Sequence, residues 1–243
     1  MSDAAGQVGS SVDALSRQFD IIAHNLANVS TVGYKRRCAA FSESLGVQQQ
    51  AANGETSGSI SSNGVFDFSQ GHIVQTDRPL DFALFGKGFF VVETPEGPLY
   101  TRNGTFHINQ DNQIVNSDGN IIAGQAGPII VPPSVGLSQI SVSSDGAVSA
   151  PGVTIGTFRL VDFEDNQNKL VPVGAGCYQA PQAVVPVDAQ NIVVRQGAQE
   201  ASNVKMIDEL VNLITVSRLY EANMKYVTAQ KDTSSSIISV AAG

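Results

Sequence analysis

The sequence predicts an α+β protein: a central all-β domain flanked by long N- and C-terminal α-helices that pair as a coiled coil. Three observations predict it. Apolar residues recur at alternating intervals of 4 and 3 near both ends of the chain, the seam of a paired helix. Short strand-like runs separated by hairpin-type turns fill the middle. No helix-period segment interrupts those runs, which argues against a parallel α/β sheet.

Residues 1–37 are expected to be the N-terminal helical part of an inner assembly domain. Val8, Val12, Leu15, Phe19, Ile22 and Leu26 form its stripe, and Asn28, Ser30, Thr31 and Gly33 supply stop chemistry. Lys35-Arg36-Arg37 reads as a solvated helix end, favourable to the helix dipole. Residues 38–75 read as an extended linker, since QQQAANGETSGSISSNG is small and polar and cannot bury enough apolar area to fold alone. Residues 76–199 are the β domain. Its runs LDFALF, GFFVVET, PLYTRNGTFHIN, QIV and NIIAG are divided by Gly86-Lys87, Pro95-Glu96-Gly97, Asp111-Asn112 and Asp118-Gly119.

Residues 200–243 are the C-terminal helical part of the assembly domain. Met206, Leu210, Leu213, Ser217, Tyr220, Met224, Val227, Lys231, Ser234, Ile238 and Ala241 keep the helical spacing, and Ile207, Val211 and Ile214 widen the apolar face. Ser202 or Asn203 is the expected N-cap. Ala201 to Ala242 contains no Gly or Pro, so a helix of roughly 40 residues, about 60 Å long, is expected. Two such stripes pairing only with each other would leave much apolar surface wet. Further copies of the chain are therefore expected to cover it.

The 243 residues carry a formal net charge of −8, which opposes binding to nucleic acid. No stretch approaches the roughly 18 apolar residues of a membrane span, so no direct membrane insertion is expected. The first residues lack the basic and apolar regions of a cleaved signal peptide. Cys38 and Cys177 form no CxxC and no metal spacing. His24, His72 and His107 form no HxH or HxxxH pair, so no metal is expected. There is no G-x-S-x-G elbow. Gly86-Lys87-Gly88 lacks the phosphate-loop pattern, and Asp111, Asn112, Asp118 and Asn120 lack the calcium-loop pattern and suit turns. Asn28-Val29-Ser30 and Asn103-Gly104-Thr105 read as incidental matches to the glycosylation sequon. No enzyme activity and no cofactor is expected.

Three blocks carry a resemblance. LSRQFDIIAHNLANVSTVGYKRR, with Asn25, Leu26, Ala27, Asn28, Thr31, Gly33, Tyr34 and Lys35, resembles the N-terminal signature of flagellar rod and hook proteins. RPLDFALFGKGFFVVETPEGPLYTRNGTFHINQDNQIVNSDGNIIAG is similar to the family's central β motif. EASNVKMIDELVNLITVSRLYEANMK, with Glu200, Ser202, Asn203, Val204, Glu209, Arg218, Tyr220 and Glu221, is similar to its C-terminal helix signature.

The resemblance implies a structural subunit of the bacterial flagellar basal-body rod, polymerising helically through its terminal helices to transmit torque. Its implied partners are copies of itself, other flagellar axial proteins (rod subunits, possibly hook) and the flagellar type III export apparatus. It implies a rod crossing the periplasm, reached without a cleaved signal peptide, with terminal helices forming an inner tube and β domains outside. The wording DRPLDFAL and AGQAGPIIVP resembles proximal rod members more than distal ones. A distal rod or hook-type axial protein is the alternative, and a β binding module on a helical stalk is the alternative from another class. The expected assembly interface joins stripe and signature: Val8, Val12, Leu15, Phe19, Ile22, Leu26, Asn25, Asn28, Thr31, Gly33, Tyr34, Ser202, Asn203, Val204, Leu210, Leu213, Ile214, Arg218, Tyr220, Met224 and Val227.

Overall fold

The computed structural model describes residues 2–38 and 65–241, and most of the segment expected to be a linker, 39–64, lies outside the described residues. The chain divides into two compact units. The helical unit takes in the described parts of Met1–Ala27, Arg37–Val65 and Lys205–Gly243, and the β unit takes in Asn28–Arg36 and Phe66–Val204.

The helical unit is built from helix α1, Ser2–Ala27, and helix α2, Met206–Ala241, which pack together. At 36 residues, α2 is about 54 Å long. From α1, Ile22 is buried and Leu15, Phe19 and Leu26 are half-buried. From α2, Glu209 and Val216 are buried, with Asn212, Leu213 and Ser217 half-buried beside them. The face of α2 that is covered is therefore rotated from the 4, 3 stripe read in the sequence. The start of α2 is apolar nearly all round, so periodicity alone cannot select which side its single partner covers. The expected N-cap is also corrected. With Met206 as the first helical residue, Ser202 and Asn203 lie before the cap position, and their side chains bond elsewhere.

The β unit is centred on the strand Phe89–Thr94. It pairs antiparallel with Gly97–Thr101, with Ile121–Gly124 and with Leu160–Asp162. Residues alternate across a strand. Phe90 and Val92 enter a core with Phe82, Phe106 and Phe158. Phe89 and Val91 enter a second core with Phe66, Tyr100, Phe163 and Tyr178. The continuous run FFVV is thus a strand buried on both faces. Ring contacts knit each core: Phe90 to Phe106 at 5.0 Å in one, Tyr100 to Phe163 at 4.7 Å in the other. Within the segment expected to be a linker, Val65–Asp67 and Ile73–Gln75 are strands. Ile73–Gln75 pairs antiparallel with Ala198–Glu200, which brings the two edges of the β sequence side by side.

Candidate functional site

Two features stand out: a buried polar clasp inside the β unit and an exposed apolar face on α2.

The clasp begins with the turn at 28–36. Asn28 O accepts from Thr31 N at 3.1 Å, and Thr31 O accepts from Tyr34 N at 3.3 Å. Gly33 sits at φ +69°, and a Cβ there would lie 2.5 Å from Asn103 N. Only glycine tolerates both the left-handed backbone and that approach. The turn is then tied to the segment before α2. Gly33 N donates to Glu200 O at 2.7 Å, and Asn203 N donates to Tyr34 O at 3.4 Å. Arg36 N donates to Asn203 Oδ1 at 2.7 Å, while Asn203 Nδ2 donates to Asp67 O at 2.8 Å. Ser202 Oγ accepts from Val204 N at 3.2 Å.

Beneath this turn lies an ion triad. Lys35 Nζ is 2.7 Å from Glu200 Oε1, and Arg102 Nη1 is 3.4 Å from Glu200 Oε2. The Lys35 and Glu200 side chains are 0% exposed and that of Arg102 is 2%. Lys35 also donates to Ser69 O, Arg102 Nη2 to Gly86 O, and Gly71 N to Glu200 Oε1. Arg102 lies 5.3 Å from the centroid of the Phe89 ring. Burial is the largest influence on both cations and holds each below its ordinary pKa, opposed mainly by Glu200. One carboxylate thus serves two dry cations, an arrangement stable only while the carboxylate and its hydrogen bonds are kept.

This corrects the reading of Lys35-Arg36-Arg37 as a solvated helix end. Lys35 is fully buried, and α1 has already ended at Ala27. Glu200 and Arg102 stand in separate blocks 98 positions apart, so no local pattern pairs them. The available signal was an isolated charge beside small residues, Ala198-Gln199-Glu200-Ala201-Ser202, in a segment that pairs as strand.

The predicted interface residues separate into two groups. Asn28, Thr31, Gly33, Tyr34, Ser202, Asn203 and Val204 meet in the clasp. Val12, Leu15, Phe19, Ile22, Leu26, Leu210, Leu213, Ile214, Arg218, Tyr220, Met224 and Val227 belong to the helical unit, as does Val8, whose side chain lies outside the described residues. Asn25 is also in the helical unit and fully buried. Its amide holds the Arg37 backbone through Nδ2 to Arg37 O at 2.9 Å and Arg37 N to Oδ1 at 2.8 Å.

On α2, Ile207 is 75% exposed, Val211 56%, Ile214 55% and Leu219 51%, and Leu210, Tyr220, Met224, Tyr226 and Val227 are exposed as well. Apolar residues left exposed in this number make α2 a candidate interaction surface.

A cavity of about 550 Å³ in the β unit borders Phe66, Phe68, Arg102 and Lys87. Its aromatic rings are engaged edge-on with Tyr178, at 5.4 and 5.2 Å, and belong to the core rather than to a stacking platform. Among the described residues no cluster of His, Cys, Asp and Glu could hold a metal, and no helix is long and apolar enough to cross a membrane. Cys38 and Cys177 are not joined by a disulfide.

The chain is similar to known proteins along most of its length. Three family models match in order along the chain: "Flagella basal body rod protein" at 10–35, "Flagellar hook protein FlgE/F/G D1 domain" at 83–150, and "Flagellar basal body rod FlgEFG protein C-terminal" at 195–240. The flagellar basal-body rod protein FlgG of Buchnera aphidicola subsp. Schizaphis graminum is 33% identical, across 89% of this chain and 91% of its own. FlgG of Agrobacterium fabrum is 32% identical, across 94% and 95%. The rod protein FlgF of Caulobacter vibrioides is 31% identical, across 92% and 91%.

Proposed function

The chain belongs to the flagellar basal-body rod protein family, and from that premise we propose that it polymerises helically through the exposed face of α2 to form a torque-bearing shaft. It is a structural rod protein of the flagellar basal body, associated with other axial proteins, and not an enzyme. The finer reading concerns how it assembles. In it, α1 and α2 continue as a coiled coil within an inner tube that crosses the periplasm, and the β units lie outside. The neighbours are copies of the chain and other axial subunits, delivered by the flagellar type III export apparatus.

One observation carries this reading: α1 covers one side of α2 and leaves Ile207, Val211, Ile214 and Leu219 more than half exposed. Burying a side chain of this kind contributes roughly 1.5–3 kcal/mol. Several per contact, repeated along a lattice, make a rigid polymer. Stripe residues Leu210, Ile214, Tyr220, Met224 and Val227 are the proposed contacts, with Arg218 at their edge. The remaining stripe residues, Val8, Val12, Leu15, Phe19, Ile22, Leu26 and Leu213, are proposed to hold the pair and its neighbours together. Within the rod, the wording at 77–84 and 123–132 supports a proximal position, testable by locating the chain in purified basal bodies.

The test is Ile214→Asp. The isolated subunit should keep its melting behaviour while losing assembly by sedimentation and losing motility in cells. Normal rod incorporation of this variant would overturn the proposed interface.

A further inference from the structure

We propose that the signature turn at 28–36 and the segment 198–204 act inside one subunit, as a clasp that makes closure of the β unit conditional on capturing both ends of the chain. The inference reassigns Gly33, Tyr34 and Asn203 from contacts between subunits to contacts within one, and joins Lys35 and Glu200 to them. It does not depend on the rod reading.

The polar groups of these blocks are already committed within the chain. Gly33 N, the Tyr34 carbonyl and Arg36 N are bonded to the 200–203 backbone and to Asn203. The Lys35 ammonium is bonded to Glu200 and to Ser69 O. The Asn203 amide reaches on to Asp67 and Ser69. A buried group that is satisfied within its own chain has little to offer a neighbour.

Glu200 is the keystone. Its two oxygens join Lys35, 165 positions away, to Arg102, 98 positions away, and Oε1 also accepts from Gly71 N. Three separate stretches of sequence therefore close on one carboxylate. Gly71 shows how tightly: a Cβ there would lie 2.0 Å from Ala201 O. The charges make the closure conditional. Without Glu200 two cations are left dry and uncompensated, whereas without Lys35 a balanced Glu200–Arg102 pair remains. Arg36 and Asn203, 2.7 Å apart through N and Oδ1, also stand at the points where the chain leaves the β unit.

The experiment is amide hydrogen exchange on the full chain, as dilute monomer and as assembled polymer, for the wild type, Glu200→Gln and Lys35→Met. In the dilute wild-type monomer, Gly33 N and Arg36 N should already be protected like the neighbouring strands. Glu200→Gln should reduce that protection by about 100-fold or more, and Lys35→Met by less. Unfolding of Glu200→Gln alongside a folded Lys35→Met chain equally supports conditional closure. Protection that arises only in the polymer overturns the proposal. So does unchanged protection in Glu200→Gln, or a Lys35→Met chain damaged as badly as Glu200→Gln.

Discussion

The β unit covers its apolar core from within, whereas the helical unit leaves much of its apolar surface exposed. In the β unit, Phe82, Phe89, Phe90, Phe106 and Val92 are shielded from solvent, and Lys35 and Arg102 both pair with Glu200 in the dry interior, where Arg102 Nε has no hydrogen-bond partner. In the helical unit, α2 buries Val216 and Glu209 but leaves Ile207 and Val211 largely exposed. The difference follows from geometry. A sheet strand offers two faces, and both faces of Phe89, Phe90, Val91 and Val92 are covered. A helix whose first turns are apolar over a wide arc offers more surface there than one neighbouring helix can cover. In the proposed assembly the covered unit is the outer body and the incomplete one is where neighbours pack. The two sets of predicted interface residues fall on opposite sides of this line.

Substitutions can break that contrast in graded steps. The largest effect on stability is expected from Glu200→Gln, which leaves two buried cations facing a neutral amide. The β unit should lose roughly 3–5 kcal/mol, the usual cost of breaking a buried charge set, read by urea unfolding of the full chain. Gly33→Ala comes next. Left-handed backbone strain of about 1–3 kcal/mol adds to the collision with Asn103, and the loss should appear in the same β transition. Asn25→Ala removes both bonds to Arg37, and the helical unit should lose about 1–3 kcal/mol while the β unit keeps its midpoint. Ile214→Asp should change subunit stability least, within about 0.5 kcal/mol for an exposed position, yet abolish assembly. If Ile214→Asp melted the subunit, or if Asn25→Ala shifted the β transition instead, the division of labour between the units would be wrong.

Much of the fold was legible in the sequence. Turn pairs such as Asp118-Gly119 and the run FFVV announced antiparallel strands, and apolar periodicity announced both helices. The rotation of α2 was not legible, because Leu210, Leu213, Ile214 and Val216 are all apolar and any of several faces fits the period. The clasp was half legible. Gly33, Lys35, Glu200 and Asn203 all lie inside recognisable blocks. Nothing local distinguished a buried Lys35 from the exposed basic residue it resembles, since its burial depends on Glu200, 165 positions away.

The sequence by itself determined the family, the order of helix, strands and helix, and the abundance of apolar surface at the ends. These follow from local spacing, turn chemistry and matched blocks, which need no partner to be read. Only the tertiary structure decided which side of α2 is covered and that the signature blocks close on Glu200. Both depend on which distant groups come to share a dry interior, where charge pairing and backbone approach are set by three-dimensional neighbours.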